Sequence, residues 1–203
     1  MLIAGAGGHA LEVLDLLVCA EPEASFVFLD ELSRRALFQE KYPVIQSQEE
    51  VLEAFLSDPR FVLGTGKPAV RKRLYEKLRG LEGRHVGLRG TGSLISPSAR
   101  CGEADILNFC FVGPNTQIGL GCLINTGAQI HHEVILGEFS EVNPGAIVLG
   151  AAQIGSFSSI GANATVLPKV KIGDRVTVGA GAVVTQDLPD GATAVGVPAR
   201  VIK

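Results

Sequence analysis

A glutamate follows a pair of histidines at His131-His132-Glu133. Imidazole is the usual general base near neutral pH, and an adjacent carboxylate can orient it and stabilise its charged form. His132 and Glu133 therefore have the parts needed to take a proton from an attacking group. A second set of residues lies toward the start of the chain: Gly5-Ala6-Gly7-Gly8-His9-Ala10, then Asp30-Glu31, then Gly64-Thr65-Gly66. Glycine turns ahead of helices suit phosphate, and an acidic residue twenty-odd positions downstream suits a ribose. The rival chemistry for the histidines is zinc. A catalytic zinc commonly takes three protein ligands, whereas this region has two adjacent histidines and inward cysteines, so no metal is expected.

The element that must hold His132 is a hexapeptide repeat. Val112, Ile118, Ile124, Ile130, Leu136, Val142, Val148, Ile154, Ile160, Val166, Ile172, Val178 and Val184 are all branched aliphatics, and four places after each of them up to Val178 comes a small or β-branched residue. A period of six kept this long predicts a parallel β-helix with both series pointing inward. The place after each aliphatic up to Val178 turns a corner and is Gly or Asn except at His131, Leu149 and Leu167, one coil apart. Along that exceptional corner the next residues run His132, Gly150, Pro168, which predicts a slot beside His132. His131 is read as a solvated corner residue. Ile95, Cys101 and Leu107 begin the repeat in a register one residue out, as expected of an irregular terminal coil.

Ahead of the repeat the chain reads as α/β. Leu2–Ala4, Phe26–Leu29 and Phe61–Leu63 predict strands, while Leu11–Ala20 and Pro68–Leu78 predict helices, together half of a Rossmann unit and sized for one nucleotide. The cations Arg71, Lys72, Arg73, Lys77 and Arg79 are read as a solvated helix face, and His85 as structural. A composition shift near Gly90 divides the chain into residues 1–90 and 91–203. With 18 basic and 21 acidic side chains and a net charge of −3, nothing points to nucleic acid or an anionic membrane. The four cysteines lack metal or redox spacing and suit a reducing compartment. No run is long enough to span a membrane, so a cytoplasmic protein is expected.

Ile130-His131-His132-Glu133, Val178-Gly179-Ala180-Gly181-Ala182 and Gly196-Val197-Pro198-Ala199-Arg200 resemble the left-handed β-helix acyltransferases. With Gly5-Ala6-Gly7-Gly8-His9-Ala10 in front, the whole chain resembles the sialic acid O-acetyltransferase-like (NeuD/PglD) group of bacterial sugar acetyltransferases. The resemblance implies a left-handed coil, a homotrimer, acetyl-CoA as co-substrate between neighbouring prisms, and N-acetylation of a nucleotide-linked amino sugar such as a UDP-linked 4-amino-4,6-dideoxy sugar. It implies that His132 is the base and that Glu133 raises its basicity. Gly7, Gly8, His9, Asp30, Glu31 and Gly64 would bind the nucleotide sugar, with Asn125 near the acceptor group. Gly150, Ala162 and Ala180 would meet acetyl-CoA through backbone groups, and Glu141 stands where relatives carry a histidine beside the coenzyme. O-acetylation of a sialic acid-like sugar is the alternative within this group. A non-catalytic β-helix scaffold is the alternative outside it, and it needs neither His132-Glu133 nor a nucleotide-type first domain.

Overall fold

A computed structural model describes residues 1–32 and 35–203. They form two units, Met1–Val86 and Gly87–Lys203. The first runs β1 (Leu2–Ala4), α1 (Gly8–Ala20), β2 (Val27–Leu29), β3 (Leu37–Phe38), β4 (Tyr42–Ile45), α2 (Gln48–Ser57), β5 (Arg60–Leu63), α3 (Pro68–Gly80) and β6 (Arg84–His85). Its sheet has the order β3-β4-β2-β1-β5-β6, parallel except where β3 meets β4. All three residues of β1 are buried, as a central parallel strand requires. The chain leaves β1 on one side through β2 and returns on the other through β5. In open α/β sheets such a reversal is where a ligand crevice is expected, here at the carboxyl ends of β1 and β5.

Three elements were not anticipated from the sequence: β3, β4 and α2. The start of α2 is nevertheless written in Ser47-Gln48-Glu49-Glu50. The Glu50 N–H donates to Ser47 Oγ at 3.2 Å and the Ser47 N–H donates to Glu50 Oε2 at 2.9 Å, a capping box. The reading of Arg71 as solvated is also corrected, since it is wholly buried on the face of α3 that carries Leu74 and Leu78.

The second unit is a triangular coil whose faces contain four, six and seven strands, most of them two residues long. Every member of both hexapeptide series from Val112 to Val184 is at most 6% exposed. Where the small series is polar, burial demands partners, and the stacked coils supply them. Cys122 Sγ donates to the Gly137 carbonyl, Ser140 Oγ to that of Gly155 and Ser158 Oγ to that of Gly173, at 2.9, 2.6 and 2.8 Å. The two serine oxygens in turn accept from the N–H groups of Ser158 and Val176 in the next coil, at 3.2 and 3.0 Å.

The first coil departs from the expected register at one point. Ile95 pairs with Val112 as the shifted register requires, but the residue opposite Ile124 is Ile106, not Leu107. Only Gly102 and Glu103 separate Cys101 from the next inward residue, Ala104, and this short corner restores the register one strand earlier than read from the sequence. The stretch Gly87–Gly92 is already tied to this coil: the Leu88 N–H donates to Asp105 Oδ1 at 2.8 Å and the Gly90 N–H to the Ile106 carbonyl at 2.7 Å.

Candidate active site

His132 lies at the corner where the six-stranded face, through Gln129–Ile130, passes into the four-stranded face, through Ile135–Leu136. Its backbone is pinned from both sides. The Glu133 N–H donates to the Pro114 carbonyl of the preceding coil, and the His132 carbonyl accepts from the Ala151 N–H of the following one, both at 2.8 Å. Glu133 takes a left-handed conformation, φ 60°, which directs its carboxylate back to the imidazole. The Nδ1···Oε2 distance is 3.0 Å.

The other ring nitrogen lies over Gly150. A Cβ at position 150 would sit 2.3 Å from His132 Nε2 and 2.4 Å from Cε1, so the imidazole occupies the space that any side chain there would need. With Nδ1–H donating to Glu133, the lone pair falls on Nε2. The side chains of His132 and Glu133 are 60% and 61% exposed, so the imidazole is open to solvent. His131 instead rests its ring against Phe111, centroids 5.4 Å apart.

The remaining residues expected around the acceptor group and acetyl-CoA do not gather about His132 within one chain. Asn125, Ala162 and Ala180 follow strands of the seven-stranded face and stack along a different corner, where the Gly181 N–H donates to the Ala162 carbonyl at 2.8 Å. Asn125 is buried there, its Oδ1 accepting from the Thr126 N–H at 2.8 Å. Glu141 lies on the seven-stranded face, which is opposite the His132 corner, and its Oε2 accepts from Ser159 Oγ at 3.3 Å. Gly150 alone of the four expected coenzyme contacts shares the corner with His132.

In the first unit the strand ends do converge. The Gly5 N–H donates to the Leu29 carbonyl and the Gly64 N–H to the Ala4 carbonyl, at 2.8 and 2.9 Å. Gly5 has φ +116°, and a Cβ on it would lie 3.0 Å from the Gly64 carbonyl oxygen, so both glycines are needed for this approach. Gly7 is the N-cap of α1 without a side-chain cap, and Gly7 and Gly8 are exposed beside open space. His9 is largely buried, with Nδ1 3.4 Å from Glu12 Oε2. Asp30 Oδ1 accepts from the Leu32 N–H at 3.0 Å, shaping the turn after β2.

Glu31 is tied to α3 by a hydrogen bond from Lys77 Nζ, with Arg73 Nη1 3.5 Å away. The Lys77 hydrogen bond, reinforced by the charges of Lys77 and Arg73, outweighs burial and lowers the carboxyl below its ordinary range. The sequence pattern alone placed these cations and Arg71 on a solvated helix face. The signal for Arg71 was present, because Arg71, Leu74 and Leu78 share one helical stripe.

Among the described residues, no three His, Cys, Asp or Glu side chains come together as metal ligands, and no helix is long and apolar enough to cross a membrane. The PglD N-terminal domain family matches residues 1–78, and the bacterial transferase hexapeptide family matches residues 151–186. The acetyltransferase domain of PglB from Neisseria gonorrhoeae is 30% identical, with 99% of this chain and 98% of that chain covered at a TM-score of 0.89. The same domain in complex with acetyl coenzyme A is 29% identical over the same shares. A variant of GDP-perosamine N-acetyltransferase from Caulobacter crescentus, in complex with CoA and GDP-perosamine, is 31% identical over 100% of this chain and 96% of that chain, with a TM-score of 0.88. A compact α/β unit, an unbroken six-residue coil and relatives that match both over nearly their whole length leave one assignment: the chain belongs to the NeuD/PglD-like family of acetyl-CoA-dependent sugar acetyltransferases, an α/β domain followed by a left-handed β-helix.

Proposed function

We propose that this protein acetylates the amino group of a nucleotide-linked amino sugar, with His132 as general base. The observation that carries the reading is the placement of the two imidazole nitrogens, Nδ1 against Glu133 at 3.0 Å and Nε2 free of Glu133 above Gly150. As the sugar amine attacks the thioester carbonyl of acetyl-CoA, a C–N bond forms and a proton passes from nitrogen to Nε2. The C–S bond then breaks, and the departing thiolate takes up a proton to leave as CoA thiol. Glu133 stabilises the imidazolium between these steps. Direct transfer of this kind requires no metal.

The nucleotide belongs to the first unit. Its diphosphate meets the bare N-terminus of α1 at Gly7, Gly8 and His9 beside Gly64, and the base or ribose meets Asp30 and Glu31. Binding energy from this handle positions the amine for attack. GDP-perosamine in the Caulobacter relative supports an acceptor of this class. The acceptor here is a UDP- or GDP-linked 4-amino-4,6-dideoxy sugar.

The protein works as a homotrimer. A second copy is needed to bring the corner carrying Asn125, Ala162 and Ala180, and the face carrying Glu141, to the His132 and Gly150 corner of the first, closing a cleft for acetyl-CoA. Thiol release with acetyl-CoA and a panel of acceptors tests the reading. The nucleotide-linked amino sugar should exceed the free amino sugar in kcat/KM by orders of magnitude, and Asp30→Ala should narrow the gap. Equal values for the two acceptors would remove the first unit from substrate recognition. Sedimentation of an active monomer would remove the shared cleft.

A further inference from the structure

Arg71 heads the large side chains with no exposed surface. A guanidinium stays charged wherever it is placed, and burying it is costly unless its donors are used. Its Nη1 donates to the Thr65 carbonyl at 2.8 Å and, at a longer 3.4 Å, to the Leu63 carbonyl. These two carbonyls flank Gly64. A Cβ on Gly64 would fall 3.1 Å from the Gly5 carbonyl oxygen and 3.0 Å from Ala10 Cβ, so Gly64 is packed against both the end of β1 and the first turn of α1. The buried cation is thus one residue from the meeting point of β1, β5 and α1, at the switch of the sheet.

Two consequences follow for an anion there. In a planar trans peptide the C=O and N–H point in opposite directions, so holding the Thr65 carbonyl toward Arg71 turns the Gly66 N–H away from it. A charge kept in surroundings of low dielectric also acts over a longer range than one in water. We infer that Arg71 is a positioning residue for the diphosphate of the acceptor: it orients the Gly64–Gly66 loop and supplies a fixed positive charge behind it. The inference rests on the reading of the first unit as a nucleotide site. It assigns to Arg71 the preference for a diphosphate over a monophosphate, leaving recognition of the base to the turn after β2.

Calorimetric titration of the full chain with UDP, GDP, UMP and GMP tests this. The parent should bind its preferred diphosphate on the order of tenfold tighter than the matching monophosphate. Arg71→Met should abolish that ratio, whereas Arg71→Lys, which keeps the charge but loses the fork, should weaken both ligands by the same factor and keep the ratio. The KM for acetyl-CoA should be unchanged in both. A ratio retained in Arg71→Met, or lost equally in Arg71→Lys, overturns the inference alone. A parent that binds none of the four nucleotides overturns the nucleotide reading and the inference with it. If Arg71→Met does not fold, Arg71→Gln carries the same comparison, since it is also neutral and can still donate to Thr65.

Discussion

Replacing Gly150 by alanine should disable the enzyme without unfolding it. The added Cβ would lie 2.3 Å from His132 Nε2, 2.4 Å from Cε1 and 3.1 Å from Cδ2, against 3.4–4 Å for ordinary contact. The ring must therefore retreat by about 1 Å, a displacement that can cost about a hundredfold when it misplaces a reacting group. Stability should change little. Gly150 lies outside the left-handed region, so its backbone accepts alanine, and His132 is 60% exposed, so the imidazole can swing into solvent. We expect kcat to fall about a hundredfold, with an unfolding free energy within about 0.5 kcal/mol of the parent. Thiol release at saturating acetyl-CoA and acceptor gives the first quantity, and urea denaturation gives the second. Gly113→Ala is the contrast: its Cβ would fall 2.8 Å from the His132 backbone nitrogen, which cannot swing away, so stability should drop by about 1–3 kcal/mol. If Gly150→Ala kept kcat within about threefold of the parent, the placement of Nε2 above residue 150 would not matter to the reaction.

His132→Ala should lower kcat by roughly two to four orders of magnitude, while His131→Ala, losing only a ring contact with Phe111, should have far less effect; equal losses would refute the assignment. Glu133→Gln removes the anion that faces Nδ1 and should lower kcat while leaving the KM for acetyl-CoA unchanged, and an undiminished kcat would count against an orienting role. Ser158→Ala strands the Val176 N–H inside the coil and should cost about 1–3 kcal/mol in urea denaturation, whereas an unchanged midpoint would mean that the polar ladder contributes nothing net. Burial alone would raise the Asp58 carboxyl, but hydrogen bonds from Arg60 outweigh it and hold the group well below the carboxylate range. A depressed folded value means that the stabilisation is present above the unfolded pKa of about 3.9 and is lost as pH falls through the lower folded one. The parent should therefore lose stability below about pH 4 more steeply than Asp58→Asn, and equal slopes would place the acid sensitivity elsewhere.

Much of the coil was legible because its side chains obey one rule. A residue of every strand must point inward into a space of constant width, so a branched aliphatic recurs every six places and its register can be read without coordinates. The rule failed where a corner changed length: with one residue fewer between Cys101 and Ala104, Ile106 took the inward place expected of Leu107. The slot beside His132 was legible for the same reason as the coil, since residues 18 apart stack, and the ring does occupy the space above Gly150. In the first unit the glycine turns marked the strand ends. The capping box at Ser47 and Glu50 went unread, and with it α2.

What the sequence determined by itself was the periodic and the local: the coil, its corners, the adjacent imidazole and carboxylate, and the strand–turn–helix around Gly7. These depend on residues whose neighbours are set by chain connectivity or by a fixed repeat. Tertiary structure decided everything that depends on which charges meet across the fold. Arg71, Arg73 and Lys77 are all cations on one helix in the sequence, yet packing buries the first under the Gly64 loop and sets the other two against Glu31. It likewise decided that Asn125, Glu141, Ala162 and Ala180 lie away from the His132 corner. The partners in these cases come from distant parts of the chain, and a charge acts through space rather than along the sequence.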